Sequence, residues 1–157
     1  MIKNEITDLN EQLGRDQFTD YVSKKQPDWN ITRYATKRFD KWDVAFTTGT
    51  TEDFVIGEIK HRYKDYDAFD TWYLEQDKFD NLQDIKTRLQ KKYPNKKIFI
   101  HYINFYWDKK NIPRIWDITN LQPDYTIEQL PNNSNTSTAY KKPKSTAQLH
   151  NNTTINH

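Results

Sequence analysis

Residues 41 to 60 constrain this chain more than any other stretch. Lys41-Trp42-Asp43-Val44-Ala45-Phe46 and Phe54-Val55-Ile56-Gly57-Glu58-Ile59-Lys60 are two apolar runs around a Thr- and Gly-rich break. That is the pattern of two strands joined as a hairpin, with Thr47 to Asp53 as its turn. A hairpin symmetric about the break sets Asp43 opposite Glu58. Glu58 and Lys60 are two residues apart, so the period-2 alternation of a strand turns both toward one face. Charged residues inside apolar strands are costly unless they are paired or ligate something.

Two carboxylates and an ammonium brought to one patch have a definite chemistry. The oxygens can hold a hard divalent cation, and the ammonium stands beside water bound there. Such a patch is suited to hydrolysing a phosphodiester. The plainer alternative is the solvated face of an amphipathic hairpin.

On these residues the chain resembles the PD-(D/E)XK nuclease superfamily, the fold of many restriction enzymes, Holliday-junction resolvases and phage nucleases. Asp43 matches the first acid of the motif, Glu58 the second and Lys60 its lysine; Trp42 stands where the family's leading Pro would be. The resemblance spans roughly residues 1 to 120, and only the hairpin carries motif residues. It implies a restriction-endonuclease-like α/β fold, a mixed central sheet flanked by helices. It also implies a Mg²⁺- or Mn²⁺-dependent endonuclease acting on DNA, with Asp43, Glu58 and the Ile59 carbonyl as metal ligands. Such families often draw a further acid from the first helix, for which Glu11 is the choice over Glu5, Asp8 and Asp16. They also carry a polar residue on the helix after the Glu-x-Lys strand. Lys78 fits that role, with Gln76 behind it, because a helix start carries partial positive charge. Many relatives act as dimers, so a homodimer is a further expectation.

Two rival readings accompany this one. A catalytically silent module would keep the fold and bind nucleic acid or protein. A small phage or mobile-element regulatory protein would use its aromatic surface against another protein.

The rest of the chain sets the context. A length of 157 residues suits one domain with a real core. There is no cysteine, which excludes disulfides, thiol catalysis and cysteine zinc sites. No stretch approaches the length of a membrane span and no signal peptide opens the chain, so a cytoplasmic protein without membrane partners is expected. The final 27 residues hold Lys141, Lys142 and Lys144 and no acid, so of the formal net charge of +2 the preceding body carries about −1. Phosphate binding would therefore need local basic patches. His61, Arg62 and Lys64 beside the hairpin, and Arg38 before it, are the candidates. Lys24-Lys25 and the lysines from Lys91 to Lys97 read as solvated surface.

Element by element, Leu9, Leu13, Phe18, Tyr21 and Val22 at helical spacings predict helix from about 4 to 25, with Gly14 as a break between two shorter ones. Ile31 to Ala35 reads as a short strand or loop, and 61 to 71 as an exposed excursion over the site. Phe79, Leu82, Ile85, Leu89 and Tyr93 form one helical stripe that packs on the sheet and ends before Pro94. Ile98 to Trp107 is apolar enough to be a strand buried on both faces, with Ile112 to Ile118 as its partner. His101 lies inside that strand, where a core role is expected. Residues 1–130 are expected to form the nuclease-like domain. Residues 131–157, rich in Asn, Ser and Thr, read as a disordered polar tail in which Tyr140 to Lys144 could touch DNA or a partner.

Overall fold

Val44 pairs with Gly57, Ala45 with Ile56 and Phe46 with Val55. Asp43 lies just before that ladder, and its N–H donates to the Gly57 carbonyl at 2.9 Å, which brings it beside Glu58. The computed structural model describes residues 3–37, 40–49, 53–109, 111–131 and 141–156, with side chains of the first helix from Leu9 onward.

The elements run α1 (Lys3–Lys25), β1 (Asn30–Tyr34), β2 (Val44–Thr48), β3 (Asp53–Arg62), β4 (Thr71–Glu75), α2 (Gln76–Lys92), β5 (Ile98–Tyr106), β6 (Arg114–Asp117), β7 (Thr126–Pro131) and β8 (Lys141–His150), and a short 3-10 turn follows. They make a mixed α/β protein with two sheets. The central sheet has the order β1-β2-β3-β5-β6, and the second has the order β4-β8-β7. In the central sheet β3 and β5 are parallel and the other pairings antiparallel. Parallel neighbours need a crossover, and β4 with α2 supplies it.

Each face of the central sheet has its own core. On one face, Phe18, Tyr21 and Val22 of α1 pack on Val44, Phe46, Val55, Ile59, Ile103 and Phe105. On the other, Phe79 and Leu82 of α2, with Trp72, Leu74 and Leu149 of the second sheet, cover Ala45, Ile56, Ile100 and Tyr102. β5 is buried along nearly its whole length, as its apolar run implies. The α2 stripe faces the sheet through Phe79, Leu82, Ile85 and Leu89, while Tyr93 at its end is exposed.

Two expectations are corrected. Gly14 does not divide α1, which is one helix of 23 residues. A Cβ at Gly14 would stand 3.0 Å from Ile59 Cγ2, so the glycine lets the helix lie close against β3. The expected disordered tail is also wrong for 141–156. β8 lies between β4 and β7, and its Ala147 and Leu149 are buried. A strand with only these two inward apolar side chains is stabilised by its place between β7, which precedes it, and the sequence-distant β4 rather than by its own composition. The part of the expected tail from 132 to 140 lies outside the described residues. Pairing of β7 and β8 also carries the fold past the boundary expected at 130.

Candidate active site

Glu58 and Lys60 project from β3 on the face that carries Ile56, toward α2 and the second sheet. Glu58 is buried, with 7% of its surface exposed, and Lys60 Nζ stands 3.2 Å from its Oε1. Burial pulls the Lys60 ammonium down, but Glu58 first and Tyr102 next more than reverse this, so it lies above its ordinary value. Lys60 is a proton-holding cation at any physiological pH.

Asp43 closes the other side. β2 begins one residue later, so Asp43 sits where the ladder stops and its side chain turns onto the free edge of β3. Its Oδ2 accepts the Ile59 N–H at 2.8 Å, and its Oδ1 lies 3.6 Å from Arg15 of α1. Arg15 is in turn anchored on the Ala35 carbonyl at 2.8 Å. Burial, reinforced by the adjacent Glu58 carboxylate, pushes the Asp43 carboxyl up to about 7. Lys60 and the Ile59 N–H pull it back only in part. The Glu58 carboxylate stands close enough to raise the proton affinity of Asp43, because two neighbouring acids cannot both ionise cheaply.

This donor set fits a hard divalent cation. Both acids offer oxygen only, and a cation between them would remove the repulsion that keeps Asp43 protonated. In an extended strand a residue's N–H and C=O leave on the same edge. The Ile59 carbonyl therefore leaves β3 on the edge where Asp43 meets the Ile59 N–H. Among the described residues no group of three or more His, Asp and Glu side chains comes together. Two carboxylates with waters completing the shell is the usual Mg²⁺ pattern.

In front of Lys60 opens a cleft of about 1430 Å³, larger than the roughly 300–1,000 Å³ of small-molecule pockets. It lies at the carboxyl end of β3, where open α/β sheets place their ligands. Its walls include Asn10 and Glu11 of α1, the segment from Lys60 to Lys64, Tyr73 and Glu75 of β4, Lys78 of α2, and Lys142 to Ser145 of β8. Asp43 and Glu58 lie behind Lys60 and do not line it.

The expected site residues are therefore distributed unevenly. Asp43, Glu58, Lys60 and the Ile59 backbone form one cluster. Lys78 and Gln76 line the same cleft at the start of α2, and exposed Glu11 lines its far wall. Of the expected phosphate contacts, Lys64 is exposed in the cleft wall. Arg62 also lines the wall, but it is committed to the Tyr102 hydroxyl at 3.0 Å and the Tyr73 carbonyl at 3.4 Å. His61 bonds Gln17 of α1 at 2.8 Å and packs on Tyr63. Arg38 lies outside the described residues. His101 is a buried core histidine whose imidazole burial pushes down to about 4.

Residue spacing does not reveal three participants. Arg15 is brought to Asp43 from the far face through α1. Glu75 ends β4 beside the cleft, and Lys144 of β8 holds it at 2.7 Å. Burial raises the Glu75 carboxyl, but Lys144, with Lys60 and Lys78 beyond it, brings it below its ordinary value. Tyr102 stands beside both Lys60 and Arg62. The run Lys141-Lys142-Pro143-Lys144 was the one available signal for β8.

Compared with protein-family models, curated proteins and solved structures, the chain finds no match.

Proposed function

We propose that this protein is a metal-dependent nuclease of the restriction-endonuclease-like kind, hydrolysing phosphodiester bonds of DNA. The observation that carries the reading is the convergence of Asp43, on the Ile59 N–H, with the buried Glu58, whose Oε1 lies 3.2 Å from Lys60 Nζ at the wall of a cleft of about 1430 Å³. Asp43, Glu58 and the Ile59 carbonyl would hold Mg²⁺ or Mn²⁺. When bound, the cation acidifies a water and offsets charge on the scissile phosphate.

The chain's own residues supply the remaining work. Glu58 keeps the Lys60 side chain in one orientation, and Lys60 steadies negative charge growing on the phosphoryl oxygens. Water adds to phosphorus and releases a proton to solvent, the ester P–O bond breaks, and the leaving oxygen takes a proton back from solvent, so that the water is consumed as hydroxyl on phosphorus and hydrogen on the leaving oxygen. Lys78, at the positive end of α2, faces the cleft where that oxygen would depart. Arg15 holds Asp43 from behind and keeps the acid on the Ile59 edge.

A second reading, a silent nuclease-fold module that binds without cutting, draws on one observation. Lys60 stands between the two acids and the cleft. Calorimetric titration with Mn²⁺ in the absence of nucleic acid separates the two. The nuclease reading expects one site in the wild type that is lost in Asp43→Asn and Glu58→Gln. Absence of any Mn²⁺ binding by the folded wild type would favour the silent module.

A further inference from the structure

The cleft walls present an unusual set of rings. Tyr63, Phe69 and Tyr73 are 49%, 50% and 39% exposed, and all three line the cleft. They are held rather than loose. The Tyr63 hydroxyl donates to Asn10 of α1, and its ring packs T-shaped on His61 at 4.8 Å. Phe69 packs T-shaped on Trp72 at 5.3 Å, and its carbonyl accepts from Asn151 at 2.7 Å. Tyr73 sits on β4 opposite Gln148, on the face turned away from Trp72 and Leu74. The segment carrying Tyr63 and Phe69 is fastened again where the Tyr66 N–H donates to Asp108 at 2.8 Å.

Charge in the cleft is weak by comparison. Lys60 and Lys144 are paired with Glu58 and Glu75, and Arg62 is hydrogen-bonded to Tyr102. Lys64, Lys78 and Lys142 make no ion pair among the described residues, and they share the cleft lining with Glu11, Asp70, Asp77 and Asp80. A duplex offers such a surface mainly phosphates, which need dense positive charge. A single strand also offers unstacked bases, and rings fixed in advance can stack on them with little ordering cost.

We propose that the cleft binds single-stranded nucleic acid, with Tyr63, Phe69 and Tyr73 as base-stacking platforms and Lys64, Lys78 and Lys142 as phosphate contacts. This rests on the proposed nuclease site only for what happens to the strand, because stacking needs neither Asp43 nor a metal.

The test is fluorescence anisotropy of the full chain in EDTA with one labelled DNA oligonucleotide, single-stranded or annealed to its complement. The single strand is expected to bind at least about tenfold tighter than the duplex. Phe69→Ala and Tyr73→Ala should each weaken it roughly 5- to 150-fold while leaving circular dichroism unchanged, and Phe69→Trp should retain it. With three phosphate contacts the logarithm of affinity should fall against that of salt with a slope near roughly −2. Equal or tighter duplex binding, no binding of either probe, or single-strand binding indifferent to both alanine variants would overturn the proposal. Single-strand binding without metal-dependent cutting would sink the nuclease reading and leave this one standing. Cutting confined to duplex would do the reverse.

Discussion

Asp43 and Glu58 meet at the open end of a hairpin, and the arrangement exists because β2 begins only at Val44, one residue after Asp43, while β3 runs on past Glu58 to Arg62. Had β2 continued, the Ile59 N–H that Asp43 now accepts would face another backbone carbonyl. The missing rung is what leaves room for an acid there.

The pair makes the metal-free protein sensitive to pH in a definite direction. Asp43 is raised to about 7 from an ordinary 3.8. Between these values the folded chain holds a proton that the unfolded chain has released, so stability is greatest below about 4 for this group and falls as pH rises through about 7. In EDTA, Asp43→Asn should raise the thermal midpoint relative to wild type most at pH 8, less at pH 5, and little below about pH 4. Mg²⁺ should raise the wild-type midpoint at pH 8 and leave the variant unmoved. Identical pH profiles for wild type and variant would remove Asp43 from the account.

Lys60→Ala should lower cleavage by roughly 10²–10³-fold, the usual effect of removing one group that stabilises transition-state charge. The fold should persist, because the aliphatic core on that face belongs to Ile56, Ile100 and Leu82. Single-turnover rates alongside circular dichroism measure both. Full activity in this variant would exclude Lys60 from the chemistry.

Gly14 links helix packing to the site. Gly14→Leu would drive a side chain into Ile59, the residue between Glu58 and Lys60. Overpacking of this kind costs about 1–3 kcal/mol. Denaturant unfolding should register that loss, and cleavage should fall further than the unfolded fraction explains. A Gly14→Leu protein of wild-type stability would show that the close approach is not tight.

β8 should be indispensable. Leu149 is 3% exposed in the core beneath Trp72 and Leu74, and truncating such a side chain to Ala costs about 2–5 kcal/mol. Leu149→Ala should therefore lower the thermal midpoint by roughly 4–20 °C, and a chain ending at Leu130 should lose cooperative unfolding. A truncated chain that melts like the full one would restore the expectation of a dispensable tail.

The elements legible in advance were those whose signals are local. Alternation and a Thr-Gly turn set the register that brings Asp43 to Glu58, and the stripe from Phe79 to Leu89 needed only helical spacing. β5 announced itself by an apolar run. β8 could not, because Lys, Ser, Thr and Gln occupy most of its positions and its partners β4 and β7 lie far apart in the chain. Gly14 carries no mark that distinguishes close packing from a helix break. Arg15 and Glu75 reach the site only through tertiary placement, one across the sheet through α1 and the other along β4. Arg62 and His61 showed the opposite problem, since a basic run beside the motif says nothing of the Tyr102 and Gln17 contacts that occupy them.

The most direct test is cleavage of labelled single-stranded, double-stranded and branched DNA with Mg²⁺, Mn²⁺ or EDTA, comparing wild type with Glu58→Gln. The account predicts metal-dependent cutting by the wild type that disappears in EDTA and in the variant. A folded wild type that cuts none of these substrates with either metal, or a Glu58→Gln protein that cuts as well as wild type, would contradict it.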